Sequence, residues 1–338
     1  MWSKRLFPFL LALIVLGACS VSAWQAPHYR DHPLAGRIWN VAEERFVSQA
    51  ELVAALAPAD FILLGETHDN PDHHLLQAAI VTAMANAGRR PVVAFEMFDM
   101  TQAEVLAGQL KVAPKDSAGI AEAVGWAKSG WPDWQLYRPI ADAALAAGLE
   151  IRAANMSRAK ARGLAQSGLD GADPGLVGRL GLDVPLADTQ QKNLRQEIGD
   201  AHCGYAPVEM IDAMAFAQFA RDAHIAHEIS SAAGDDGAIL IAGAGHTRHD
   251  RAVPLHLRRK APGRSIVSMA FLEVSDGEQS APAYAEPFGS PALPFDYVWF
   301  TPRVDIRDAC ERFEEQLKKM QQSKAAAKKE EGSQHRLL

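Results

Sequence analysis

The sequence predicts an α/β fold, a mostly parallel sheet flanked by helices, with a helical insertion before the fourth core strand. Three observations carry that expectation. Short apolar runs of strand length recur along the chain and are separated by longer amphipathic stretches, the alternation that builds a parallel sheet covered on both faces. Four of those runs stop at polar, chemistry-bearing residues. Between the third and fourth runs lie about eighty residues with few β signals and two long helical patterns.

Gly36–Val41 reads as a small hairpin ahead of the core. Phe61–Gly65 is the first core strand, because a continuous apolar run of this length suits a strand buried on both faces. A helix follows from Pro71 to about Ala87, with one of Asp69, Asn70 and Asp72 as its N-cap and Pro71 in its first turn. His73 and His74 then read as exposed first-turn residues. Pro91–Glu96 is the second strand, with Thr101 as N-cap of the next helix. Glu150–Ala154 is the third, after an Ala-rich helix from Ile140, and Ser157 reads as an N-cap. The Gly/Asp/Pro-rich segment Ser167–Pro185 reads as a surface loop. Asp188–Ile198 and Val208–Ser231 are the insertion helices. On the second of these, Gln218 and Asp222 share a face, as do His224, His227 and Glu228. Two readings fit them: a solvated polar face opposite Ile211, Met214, Phe219 and Ile225, or groups lying over a site. Ala238–Gly243, Ser265–Leu272 and Asp296–Phe300 complete the sheet.

Composition bounds the function. The 338 residues are 48% hydrophobic and 22% charged, which excludes a disordered or collagen-like chain. A formal net charge of −7 argues against a general nucleic-acid binder. Residues 1–18 read as a signal peptide: Lys4 and Arg5 precede an apolar run, Leu6–Leu16, shorter than the roughly 20 residues that span a bilayer. The run ends in Leu16-Gly17-Ala18-Cys19, a lipobox-like pattern in which Cys19 is acylated and becomes the new N-terminus. Ser20 after it favours the outer membrane, on the periplasmic face. Residues 19–35 are then a tether, 36–305 the α/β domain with its insertion at about 157–233, and 306–338 a charged helix or tail. Cys203 and Cys310 either pair in an oxidising compartment or stay free.

In an open parallel sheet, ligands bind at the carboxyl ends of the strands. The first core strand ends in Glu66 and His68, the second in Glu96, the third in Asn155 and the fourth in His246. If all run parallel, these five converge on one edge. Gly243-x-Gly245 lacks the third glycine and the acidic ribose partner of a dinucleotide fingerprint. There is no P-loop, nucleophile elbow or His-Glu-x-x-His helix.

Several strings occur in an order that resembles one family. They are Leu64-Gly65-Glu66-Thr67-His68-Asp69-Asn70-Pro71-x-His73, Glu96-Met97-Phe98, Trp131-x-x-Trp134-x-x-Tyr137-x-Pro139, Ala154-Asn155-Met156-Ser157-Arg158, and Gly245-His246 followed by Val253-Pro254. From about Gly36 to Pro302 the chain resembles the ChaN family of haem-binding, iron-regulated lipoproteins, in a superfamily with the Tiki metalloproteases and the erythromycin esterases. The resemblance implies haem held through a tyrosine at the interface of a homodimer, in uptake or storage, with an outer-membrane haem receptor as a partner. A phenolate suits ferric haem. Among Tyr29, Tyr137, Tyr205, Tyr284 and Tyr297, the expected ligand is Tyr137, which follows Trp126, Trp131 and Trp134; the alternative is a Tyr137 packed with its hydroxyl bonded locally. Asn155, Arg158 and Arg248 complete the expected haem-binding set, with Arg251 a further propionate partner by position. The wider superfamily implies a second reading, a hydrolase in which Glu66, His68, Glu96 and His246 activate water directly or through a divalent metal.

Overall fold

The structure is a computed structural model and describes residues 24–311, 313–315 and 318. The expected signal peptide, the acylated Cys19 and most of the 306–338 tail, including all of 319–338, lie outside the described residues.

The elements run β1 (Ile38–Asn40), β2 (Arg45–Val47), α1 (Gln49–Leu56), β3 (Phe61–Glu66), α2 (Pro71–Asn86), β4 (Val92–Asp99), α3 (Ala103–Val112), α4 (Ser117–Ala123), α5 (Trp134–Ala146) and β5 (Ile151–Asn155). The insertion follows as α6 (Arg158–Ser167), α7 (Pro174–Leu180), α8 (Asp188–Ala201) and α9 (Val208–Ala232). The chain ends with β6 (Ala238–Gly243), α10 (Ala244–Thr247), α11 (Val253–Lys260), β7 (Ile266–Glu273) and β8 (Tyr297–Thr301). One sheet of eight strands results, in the order β2-β1-β8-β7-β3-β6-β4-β5. From β8 to β5 neighbouring strands are parallel; only the β1 pairings are antiparallel.

Strand β3 shows how sequence becomes layers. Successive side chains of a strand point to opposite faces. Ile62 and Leu64 therefore join Ile80, Val81 and Met84 of α2 and Ile140, Ala141 and Ala144 of α5. Phe61 and Leu63 instead meet Ile225, Ala226 and Ile229 of α9 and Val253 and Leu257 of α11. Each fully buried Val, Leu, Ile, Met or Phe among them contributes about 1.5–3 kcal/mol. Helix α9 is long enough to serve two cores. Beyond the sheet, its Ala215, Phe219, Ala220 and Ala223 pack with Leu164, Leu176, Leu180 and Leu194 of α6–α8. Asp222 lies where these two environments meet.

Three local expectations are corrected. His73 and His74 are fully buried, because the loop after β3 folds back over them: Thr67 N–H donates to His73 Nδ1 (2.9 Å), and His74 Nε2 lies 3.2 Å from the His68 carbonyl. Thr101 is not a cap; α3 starts at Ala103, and Thr101 is tied to Asp99. The Ser167–Pro185 loop contains α7, with Asp173 accepting from Leu176 N–H, Pro174 in the first turn, and Leu176 and Leu180 buried. Within the expected tether, residues 24–35 contact the domain. Gln25 and Ala26 N–H groups both donate to the buried Asp72 carboxylate (2.9 Å each), and Ala26 and Leu34 are buried. Asn70 and Ser157 do cap α2 and α6. Among the described residues no helix is long and apolar enough to cross a membrane.

Candidate functional site

The parallel order β3-β6-β4-β5 sets the four strand ends side by side, as the topology requires for a site in this fold class. Glu66 registers with Gly243 across β3 and β6. That glycine makes the site possible: a Cβ there would lie 3.0 Å from His68 Nε2 and 3.1 Å from Cε1, so the His68 ring occupies the space a side chain would take. The imidazole is held by Glu66, whose Oε1 is 2.7 Å from His68 Nδ1, and lies edge-on to Trp131 with centroids 4.9 Å apart. Glu66 is fully sequestered, whereas the His68 side chain keeps 37% exposure. Glu66 Oε2 is buried with no hydrogen-bond partner among the described residues.

On β4 the register shifts between Phe95 and Asp99, a bulge of the kind that re-aims a side chain at a strand end. The Glu96 carboxylate there accepts from Gly243 N–H (2.9 Å) and from Arg221 Nη2 (2.8 Å), and its Oε1 is 3.1 Å from His246 Nε2. His246 Nδ1 is 2.5 Å from Asp222 Oδ1. Asn155 completes the edge: its amide donates to the Glu96 carbonyl (2.9 Å) and its oxygen accepts from Arg221 Nε (3.2 Å). Gln218 Nε2 approaches both ring nitrogens of His246 at 3.2 Å. Of the two readings of the α9 face, the one over the site holds for Gln218 and Asp222.

The electrostatics follow from this pairing. Burial works against charge on His68, but the Glu66 carboxylate, with Glu96 behind it, raises its pKa to about 9. Burial likewise opposes charge on His246, and Glu96 and Asp222 raise it to about 9. Burial would push Glu96 up, yet His246, Arg221 and His68 hold it well below the usual carboxylate range. Near neutral pH the site therefore contains two imidazolium groups locked to carboxylates. His68 is the one open to solvent, and it is a proton donor before it is a base.

The expected metal set comes together but does not form a metal site. Among the described residues no group of three or more His, Cys, Asp or Glu is disposed to hold a metal ion. Glu96, His246 and Asp222 are instead paired with one another.

The expected haem set is split. Tyr137 is fully buried, and its hydroxyl donates to Glu66 Oε1 (3.2 Å). Burial and the Glu66 and Glu96 charges push its ionisation above the ordinary tyrosine value. It is a packed phenol, hydrogen-bonded inside the protein. Trp126 and Trp134 are core residues against Phe98, leaving Trp131 alone at the site. Arg248 is buried and bound to Asp250 and Glu197 (2.7 Å each), and Arg251 is buried against the same Glu197. Arg158 is placed differently. It lines a cleft of about 450 Å³ with Glu96, Trp131, Asn155, Lys128, Arg162 and Arg221.

Lys128, Arg162 and Arg221 were not among the residues expected from sequence. The available signal was Arg158-x-Lys160-x-Arg162 directly after the Ser157 cap, three cations at the helix end that disfavours them. Tyr205 is the other change of emphasis. It is the most exposed of the five tyrosines (58%) and stands in the α8–α9 loop beside exposed Val208 and Met210. Its ring is 6.2 Å from Phe313, brought there by a disulfide between Cys203 and Cys310.

A sequence profile described as "Haem-binding uptake, Tiki superfamily, ChaN" matches residues 52–257. No curated protein matches the chain. Among solved structures, the chain is similar to ChaN of Campylobacter jejuni, described as binding heme cofacially, with 23% identity, 78% of this chain and 95% of that chain covered, and a TM-score of 0.62. More distant similarities are to the type III effector HopBA1 (14% identity, 75% and 92% covered, TM-score 0.41) and to an erythromycin esterase mutant in its open conformation (12% identity, 80% and 100% covered, TM-score 0.41).

Proposed function

The chain belongs to the ChaN family of the Tiki superfamily, described by haem-binding uptake, and from that premise we propose that it binds haem. We assign it to haem or iron uptake or storage, on the periplasmic face of the outer membrane, anchored through an acylated Cys19 and handing haem to or from an outer-membrane receptor. The observation that carries the haem reading is the family match over residues 52–257. The chain's own residues fit it at Tyr205, not at Tyr137. Tyr205 offers an exposed phenol, the hard donor that ferric haem takes. Val208 and Met210, 69% and 53% exposed, supply apolar surface for a porphyrin face. One such patch covers only one face of a flat ligand, so a second copy of the chain closes the site.

Hemin titration tests this reading. The wild type is expected to bind hemin stoichiometrically with a Soret shift, and Tyr205→Phe to weaken binding at least tenfold, about 1.4 kcal/mol. Tyr137→Phe keeps the wild-type spectrum. The opposite pattern returns the iron to Tyr137 and removes Tyr205.

A second reading, a hydrolase, is favoured by one observation: the Glu66–His68 pair, charged near neutral pH and open to solvent on its His68 side. In that arrangement His68 donates a proton to a leaving group while Glu66 holds its ring. On a panel of esters and peptides, His68→Ala then abolishes turnover without altering the hemin spectrum. No turnover by the wild type on that panel removes the reading.

A further inference from the structure

The cleft beside the strand ends carries a charge pattern that neither reading uses. Lys128, Arg158, Arg162 and Arg221 line it against two acids, Glu96 and Asp99. Both acids are already engaged: Glu96 with Arg221 and His246, Asp99 with Thr101. Arg221 is spent on Glu96, but Lys128, Arg158 and Arg162 have no hydrogen bond or ion pair among the described residues. These three unneutralised cations face one concavity, in a chain whose net charge is negative.

Two further observations point the same way. Arg158 and Arg162 stand in the first turns of α6, where no acidic residue is present, so they add positive charge at the positive end of the helix dipole. This costs stability in the ligand-free protein and is relieved when an anion sits between them. The opposite rim reaches Arg158: Gly130, at φ +81, makes the left-handed turn that favours glycine and brings this loop into ordinary contact range of the Arg158 guanidinium.

We propose that this cleft binds a small molecule carrying a doubly charged oxyanion group, a phosphate monoester or a dicarboxylate, seated between Lys128, Arg158 and Arg162, with its body over Trp131. The size suits a metabolite, since such sites run to about 300–1,000 Å³. Bidentate guanidinium contacts suit both carboxylate and phosphate. No tyrosine lines the cleft, so this site is independent of a tyrosine-ligated haem, and it goes beyond that reading.

Calorimetric titration of the full-length protein with inorganic phosphate and, separately, with succinate tests it. Saturable one-site binding of either probe is expected, phosphate alone marking a phosphate ester and succinate alone a dicarboxylate. Affinity should fall at least tenfold in Arg158→Gln/Arg162→Gln and stay unchanged in the remote Arg45→Gln. The double variant should melt no lower than wild type without ligand, which a merely structural role would not give. If it fails to fold, Lys128→Gln alone carries the same test. Equal affinity in wild type and cleft variants overturns the proposal, as does unsaturable binding, or displacement of the probe by one equivalent of hemin. A failed hemin titration leaves this result untouched, because the two are read separately.

Discussion

His246→Ala is expected to lower the free energy of unfolding by about 3–5 kcal/mol, the loss typical when one member of a buried ionic set is removed and its partners stay. Glu96 and Asp222 are each about 2% exposed at the side chain, and His246 is the group that bridges them. Without it, the buried Glu96 and Asp222 lose their shared partner, Glu96 keeping Arg221 and the more distant His68 and Asp222 only the more distant Arg251 and Arg221. The denaturant midpoint should drop with little change in slope, since the exposed area on unfolding hardly changes. The wild type carries a matching pH signature. His246 is raised from 6.5 to about 9 on folding, so between those values the native state holds a proton that the unfolded chain has released. Its stabilisation is complete below about pH 6.5 and is lost as pH rises through 9, at up to about 1.4 kcal/mol per pH unit. His68 is raised over the same range and adds its own slope, so a stability profile that stays flat from pH 6.5 to 9, or one whose slope is undiminished in His246→Ala, removes His246 as a linked group.

The strand ends were readable in advance because they need only two regularities. Apolar runs such as Phe61–Leu64 mark strands buried on both faces, and parallel topology then delivers Glu66, Glu96, Asn155 and His246 to one edge whatever the loops do. What sequence could not supply was which side of each group faces water. His73 and His74 follow a helix cap and so read as solvated, yet the loop after β3 folds back and buries both. Tyr137 follows three tryptophans and so read as a ligand wall, yet Trp126 and Trp134 turn inward with it. Arg248 sits two residues from His246 and read as site-facing, yet Glu197, fifty-one residues earlier in the chain, claims it. Each miss is a tertiary contact between segments far apart in sequence. The α7 helix was missed for a local reason: Gly175 and Gly178 lower helix propensity, and the Asp173 cap, Pro174 in the first turn and two buried leucines outweigh them.

Breaking the Cys203–Cys310 bond, by Cys203→Ser or by reductant, is expected to cost about 2–4 kcal/mol of stability, and the hemin titration should register it as well. The bond joins residues 107 apart and closes a loop containing β6, β7 and β8, so its removal frees the unfolded chain far more than the folded sheet. The value belongs at the lower end because the segment tied by Cys310 is itself exposed, with Ile306 at 56%, and gains freedom in the folded state too. The local consequence is larger than the global one. Phe313 meets both His202 and Tyr205 across this bond, so cutting it removes one wall of the Tyr205 patch while the Glu66–His68 pair stays in place. Hemin affinity should therefore fall on reduction, whereas phosphate binding in the Arg158 cleft and the pH profile set by His246 should not. Such a split would separate the molecule into two ligand regions with different redox sensitivity. It would also support export, since a bond of this kind persists in an oxidising compartment. Equal loss at both regions would instead mean that the disulfide acts through the stability of the whole fold, and Tyr205 would lose its claim to the haem.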